Sequence, residues 1–181
     1  MVVLAVNKPV GIVCTEERRE RNSIVRFLNY PIRVTYIGRL DKDSHGLLLM
    51  TNNGDIINKM MRAGNQHEKE YKVTVDKEIT PEFIKQMSTG VPILDTVTRP
   101  CKVTQNGKYT FTIVLTQGLN RQIRRMCEAL GYQVKDLFRT RVMNIELKGL
   151  KDGAYRKLTD AELNELHELI KDSSNETVRW E

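Results

Sequence analysis

Between two apolar segments, Val34–Ile37 and Leu47–Thr51, the chain runs Gly38-Arg39-Leu40-Asp41-Lys42-Asp43-Ser44-His45-Gly46. A polar loop bounded by glycines and held by two buried strands is where a rigid scaffold presents reactive groups. Asp41 lies between Arg39 and Lys42. A carboxylate among cations stays ionised, which suits a nucleophile or general base better than a general acid. The same residue also reads as a turn aspartate bonding its own backbone. A calcium loop fits poorly. Asp41, Asp43 and Gly46 fall at the first, third and sixth places, but Asn52 stands where a bidentate Glu is needed.

A second group of reactive types is Gln117-Gly-Leu-Asn-Arg121-Gln-Ile123-Arg124-Arg125-Met-Cys127. On a helix, Ile123, Met126, Cys127 and Leu130 form one apolar stripe. Arg121, Arg124 and Arg125 then flank the helix N-terminus, where cations cost stability. They answer either to an external anion or to a carboxylate elsewhere in the fold. A solvated basic face is the plainer reading. Tyr71, in Glu70–Val75, shares the inward face of an alternating strand with Val73 and Val75. It is a core tyrosine or a platform for a nucleic-acid base.

Other chemistries lack their residues. The chain has no phosphate-binding Gly-rich loop, no dinucleotide fingerprint and no serine-hydrolase elbow. His45, His67 and His167 share no metal spacing, so neither metal nor cofactor is expected. Cys14, Cys101 and Cys127 form no CxxC pair, which points to a reducing, cytoplasmic compartment. No apolar run is long enough to span a membrane. The 181 residues carry a net charge of +6, unevenly spread. Met1–Lys157 is +11 and Leu158–Glu181 is −5. A body so basic points to a polyanionic partner.

The elements that must position these residues follow from local signals. Strands are expected at 2–6, 12–15, 34–37, 47–51 and 70–75, then at 99–104 and 109–115 around an Asn106-Gly107 turn. One or two more are expected within 134–147. Ser23 caps a short helix through Leu28, and a helix from Asp55 ends near Gly64. Thr80-Pro81 opens a helix to Ser88, and Asn120 caps one that runs to Leu130. Thr159-Asp-Ala-Glu162 is a capping box for a last amphipathic helix, followed by a polar tail from 173. Together these give an α+β fold with a mixed, largely antiparallel sheet flanked by helices, over 1–172.

Four segments in order resemble the RsuA-like branch of the pseudouridine synthases. They are Asn7-Lys-Pro-Val-Gly11, Gly38-Arg-Leu-Asp-Lys-Asp-Ser-His-Gly46, Glu68-Lys-Glu-Tyr-Lys-Val73 and Gly118-Leu-Asn-Arg-Gln-Ile-Arg-Arg-Met126. Asn65–Tyr71 and Arg139–Asn144 are most similar to the subgroup acting on large-subunit ribosomal RNA. The resemblance spans Leu4–Leu169.

It implies a cofactor-free, metal-free isomerisation of a flipped uridine, with Asp41 as the catalytic carboxylate and the glycal and direct-attack routes both open. It further implies Tyr71 stacked on the base, Ile123 beneath it, Arg124 paired with Asp41, and Arg39 near the displaced nucleotide. The expected partner is RNA, a ribosomal stem-loop or a tRNA, bound by a monomer. Arg121, Arg125, Arg139 and Arg141, with Arg156 and Lys157, are the expected phosphate contacts. An S4-type RNA-binding module precedes the catalytic part in most of the branch and is absent from this sequence. A non-catalytic RNA-binding assembly factor with the same fold is the alternative.

Overall fold

In the computed structural model, residues 1–62 and 67–171 are described. The helix end expected near Gly64 and the polar tail lie outside these residues. The elements in chain order are β1 (Val3–Lys8), α1 (Ile24–Leu28), β2 (Thr35–Ile37), β3 (His45–Thr51), α2 (Gly54–Met61), β4 (Lys69–Val75) and α3 (Pro81–Thr89). There follow β5 (Pro92–Ile93), β6 (Thr96–Val97), β7 (Lys102–Gln105), β8 (Thr110–Leu115), α4 (Gln122–Ala129), β9 (Val134–Val142), β10 (Ile145–Glu146), β11 (Tyr155–Lys157) and α5 (Asp160–Ile170).

Among the described residues nine strands form one sheet in the order β11-β1-β3-β9-β4-β8-β7, with β2 paired to β3 and β10 to β9. All pairings are antiparallel except β3–β9, where His45 faces Phe138 and Gly46 faces Arg139. The fold is therefore the mixed, largely antiparallel α+β arrangement expected. β1 covers one edge of β3 from Gly46 to Thr51. The other edge is shared, its first two residues with β9 and its last three with β2. β2 and β9 therefore part at a fork, and the 38–44 loop emerges there.

The unbroken apolar runs in β1 and β3 are explained by burial on both faces. Val3, Ala5, Leu47 and Leu49 pack under α2 and α5, while Leu4, Val6, Leu48 and Met50 pack under α1. A third cluster joins β4 and β8 to α3 and α4. Tyr71 touches both this cluster and the one under α1, so it stands at the seam between the two halves of the sheet.

Two expectations change. Residues 12–15 form no strand; Val13 makes one isolated bridge to Ser23. Asn120 is not the cap of α4. Arg121 holds that place in a left-handed conformation with no side-chain cap bond. Asn120 instead accepts from Arg125, through its backbone O and its Oδ1.

Candidate active site

The 38–44 loop is fixed from beneath. Leu40 is buried among the apolar residues under α1, and Ser44 is buried completely. Ser44 N donates to Asp41 O at 3.0 Å, and Gly11 N donates to Lys42 O at 2.7 Å. Lys8, fully buried, spends its ammonium on Pro9 O and Ile12 O. That ties the 9–12 turn to the strand that supports the loop.

Arg139 is the correction among the arginines. It is only 2% exposed. Its Nε donates to Leu47 O at 2.7 Å and its Nη1 to Arg39 O at 3.3 Å. A guanidinium enclosed on two carbonyls is not available to a phosphate. It braces the root of the Asp41 loop instead. Gly46 makes this crossing possible, since a Cβ there would collide with the Arg139 backbone.

Asp41 is about one-third exposed at the rim of a cavity of about 450 Å³. Tyr71 and Ile123 form part of its wall, with Leu115 and Leu137 below. Arg39 and Arg121 also line it. The structure therefore brings Asp41, Arg39, Tyr71 and Ile123 together around one cavity. Arg124 lies behind them.

The expected Arg124–Asp41 ion pair is present at 4.0 Å, and Arg121 adds a nearer one. Arg121 Nη1 is 3.3 Å from Asp41 Oδ2, and Arg121 also forks onto both oxygens of Asp43 at 3.2 and 3.1 Å. This fork holds the Asp43 carboxyl below its usual range. Arg124 Nε lies 4.0 Å from Asp41 Oδ2. Its hydrogen bonds go to Asp43 O and Ser44 Oγ, at 3.1 and 3.0 Å. Nε itself is buried without a hydrogen-bond partner. Arg124 thus braces the loop backbone while keeping one N–H unused beside Asp41.

The remaining expected phosphate contacts are partly committed. Arg141 bonds Glu68 and the Met143 carbonyl. Arg125 turns onto Asn120. Arg156 makes a bidentate pair with Glu162 at 2.8 and 2.9 Å. Lys157 is exposed.

Sequence reasoning missed Asp43 and Ser44 as anchors of the arginines, and it missed Lys69. The alternation that put Tyr71, Val73 and Val75 on one face places Lys69 there too. The thiols offer no rival nucleophile. Burial pushes Cys101 up to about 11 and Cys127 up to about 12, and raises Cys14 as well.

The sequence and the mixed sheet both have counterparts among known proteins. The RNA pseudouridylate synthase family model matches residues 2–129, and the chain belongs to that family. It is 61% identical to the dual-specificity RNA pseudouridine synthase RluF of Escherichia coli strain K12, over 97% of this chain and 61% of that protein. It is 36% identical to the ribosomal large subunit pseudouridine synthase B of Bacillus subtilis strain 168, over 93% of this chain and 72% of that protein. A crystal structure of a pseudouridylate synthase superposes with a TM-score of 0.85 at 28% identity, covering 91% of this chain and 73% of that one. The chain thus spans about three-fifths of the length of the Escherichia coli relative.

Proposed function

We propose that this protein isomerises a uridine to pseudouridine within RNA, with Asp41 as the reacting carboxylate. The observation that carries the reading is the placement of Asp41. It lines a cavity large enough for one nucleotide together with Tyr71 and Ile123, within reach of Arg121 and Arg124. Detaching a base and returning it through carbon requires that base out of its stack, at a cost of a few kcal/mol. Tyr71 supplies a face for the extruded ring and Ile123 an apolar surface across from it. Arg39, at the cavity edge, is placed for the backbone of the displaced nucleotide. Isomerisation transfers no electrons to or from a second molecule, so the reading calls for no cofactor.

Large-subunit ribosomal RNA is the substrate this reading favours, in line with the activity for which the Bacillus relative is named. A second RNA class, such as tRNA, would fit the dual specificity in the name of the Escherichia coli one. The free thiols fit a reducing compartment, and the cytoplasm is the place proposed.

The test is tritium release from ribosomal RNA carrying 5-tritiated uridine. Wild type should release tritium, and Asp41→Asn should release none while binding the same RNA within about threefold, because affinity comes mainly from phosphates. Release by the Asn variant at a tenth of the wild-type rate sinks the assignment. RNA binding without release by wild type supports the binding-module alternative.

A further inference from the structure

Lys69 opens β4, two residues before Tyr71. Successive side chains of a strand point to opposite faces, so Lys69 and Tyr71 share a face. Both line the cavity that holds Asp41. Lys69 pairs in register with Leu115 of β8 and Val142 of β9, so apolar strands flank its backbone on both sides.

Of the other cations near the cavity, Arg39 is exposed to solvent and four more are held by partners. Arg121 is held by Asp41 and Asp43, Arg124 by Asp43 and Ser44, and Arg139 by two carbonyls. Lys8, the other enclosed lysine near the site, has two carbonyls of its own. The Lys69 ammonium differs. Among the described residues no side chain or carbonyl accepts a hydrogen bond from it, and no carboxylate pairs with it.

The charged and titratable groups facing Lys69 are Asp41, Arg39, Arg121 and Tyr71 within the cavity, Arg139 behind it, and His67 and Arg62 in the adjoining cleft. Burial, aided by the Arg139 charge, pushes Lys69 down to about 8. Lys69 is half-buried, and a cation partly withdrawn from water without a partner is costly. Its place beside Tyr71, Leu115 and Leu137, on a wall that also carries polar groups, makes chemical sense if the cavity's occupant completes it.

On the function proposed above, the occupant is a flipped uridine. When its C1′–N1 bond breaks, the electron pair leaves with the base. The negative charge then spreads over N1, O2 and O4. The ring turns and C5 bonds to C1′, which uses the electron pair and makes the base neutral; the C5 proton then leaves as N1 takes one up, giving the C-linked base. The carboxylate at Asp41 serves the sugar side of this exchange. The base side needs a cation that Asp41 does not already hold.

We propose that Lys69 is a catalytic residue of this site, its ammonium donating a hydrogen bond to a uracil carbonyl oxygen and stabilising the detached uracil anion. The contact is stronger when the base carries the charge than in the bound uridine, and only such a difference speeds the reaction.

The experiment uses the whole chain with Lys69→Met, which keeps length and removes charge, and Lys69→Arg, which keeps charge at all accessible pH. Single-turnover tritium release, RNA affinity and its pH dependence are measured for each. Lys69→Met should slow release by about 10²- to 10³-fold, the usual cost of a lost oxyanion donor, with RNA affinity within about threefold. The wild-type rate should fall as pH rises through about 8, where the ammonium deprotonates. That alkaline limb should vanish in Lys69→Arg, which tests the idea even if the Met variant fails to fold.

An unchanged rate in Lys69→Met overturns the proposal. So does weakened RNA affinity with the bound rate intact, which would make Lys69 a phosphate ligand. An alkaline limb that persists in Lys69→Arg also overturns it. A wild type that binds RNA and releases no tritium overturns the activity itself, and Lys69's role with it.

Discussion

Arg121 Nη1 sits 3.3 Å from Asp41 Oδ2, closer than Arg124 Nε at 4.0 Å. The arginine nearest the carboxylate is thus the more exposed of the two, 41% against 12%. Its reach follows from a left-handed residue at the start of α4, with φ of 48°. The two arginines therefore do different work. Arg121 meets the carboxylates in partly exposed surroundings. Arg124 fastens the backbone that carries them.

The stabilities of the two truncations should differ accordingly. Arg121→Ala should cost under about 1 kcal/mol, because exposed ion pairs are screened. Arg124→Ala strips partners from the buried Ser44 hydroxyl and from the Asp43 carbonyl, and should cost about 1–3 kcal/mol. Urea midpoints of the two variants decide it, and a larger loss for Arg121→Ala would reverse these roles.

The pattern of what the sequence reveals follows from range. The Thr159–Glu162 capping box, the Thr80-Pro81 helix start and the Asn106-Gly107 hairpin are legible because their causes lie within a few residues. The β3–β9 joint and the pairing of β11 with β1 are not, because their partners lie far along the chain. Asp41, Tyr71 and Ile123 are legible as a group through their motifs. That Arg121 comes nearer to Asp41 than Arg124 does is not, since it depends on one left-handed residue. Arg139 reads as one more basic residue in an alternating strand. Only the crossing at Gly46 buries it.

Glu162 should give the fold a measurable acid sensitivity. Its carboxyl is 7% exposed and is held at about 2 by the Arg156 fork, aided by the Thr159 amide. A lowered carboxyl contributes stability above its unfolded value near 4.5, and the contribution fades as pH falls toward 2. Its size is on the order of 3 kcal/mol. Unfolding free energies of wild type and Glu162→Gln should differ by about that much at pH 7 and converge below pH 3. A gap independent of pH would refute the pairing. The same clamp anchors α5, whose Leu166 and Ile170 are core residues, so a chain cut at Lys157 should not remain folded.

Two glycines should respond in opposite directions to alanine. Gly46 has φ of 116° and no room for a Cβ against the Arg139 backbone, so Gly46→Ala should cost about 3 kcal/mol or more. Gly54 opens α2 with open space where an alanine methyl would sit, and Gly54→Ala should gain about 0.5–1 kcal/mol. Thermal melting of both variants tests the fork between β2 and β9. A tolerated alanine at 46 would mean that the joint is looser than its geometry indicates.

The last expectation concerns which arginines meet RNA. On the proposed function, each phosphate contact contributes to the salt dependence of binding, with a log–log slope of about 0.7 for a single strand or 0.9 for a duplex, treating RNA like DNA of the same strandedness. Arg139→Met should leave that slope unchanged, because its guanidinium is enclosed on Leu47 O and Arg39 O. Arg121 is the informative case. In the free protein it neutralises Asp41 and Asp43, but its 41% exposure leaves it free to swing outward. If a phosphate draws it away, Arg121→Ala should flatten the slope by about 0.7–0.9. If it stays on the carboxylates, the slope should match wild type even where the rate falls. Binding measured from about 50 to 200 mM salt on one stem-loop separates these outcomes. A slope changed by Arg139→Met and untouched by Arg121→Ala would place the RNA on a different face.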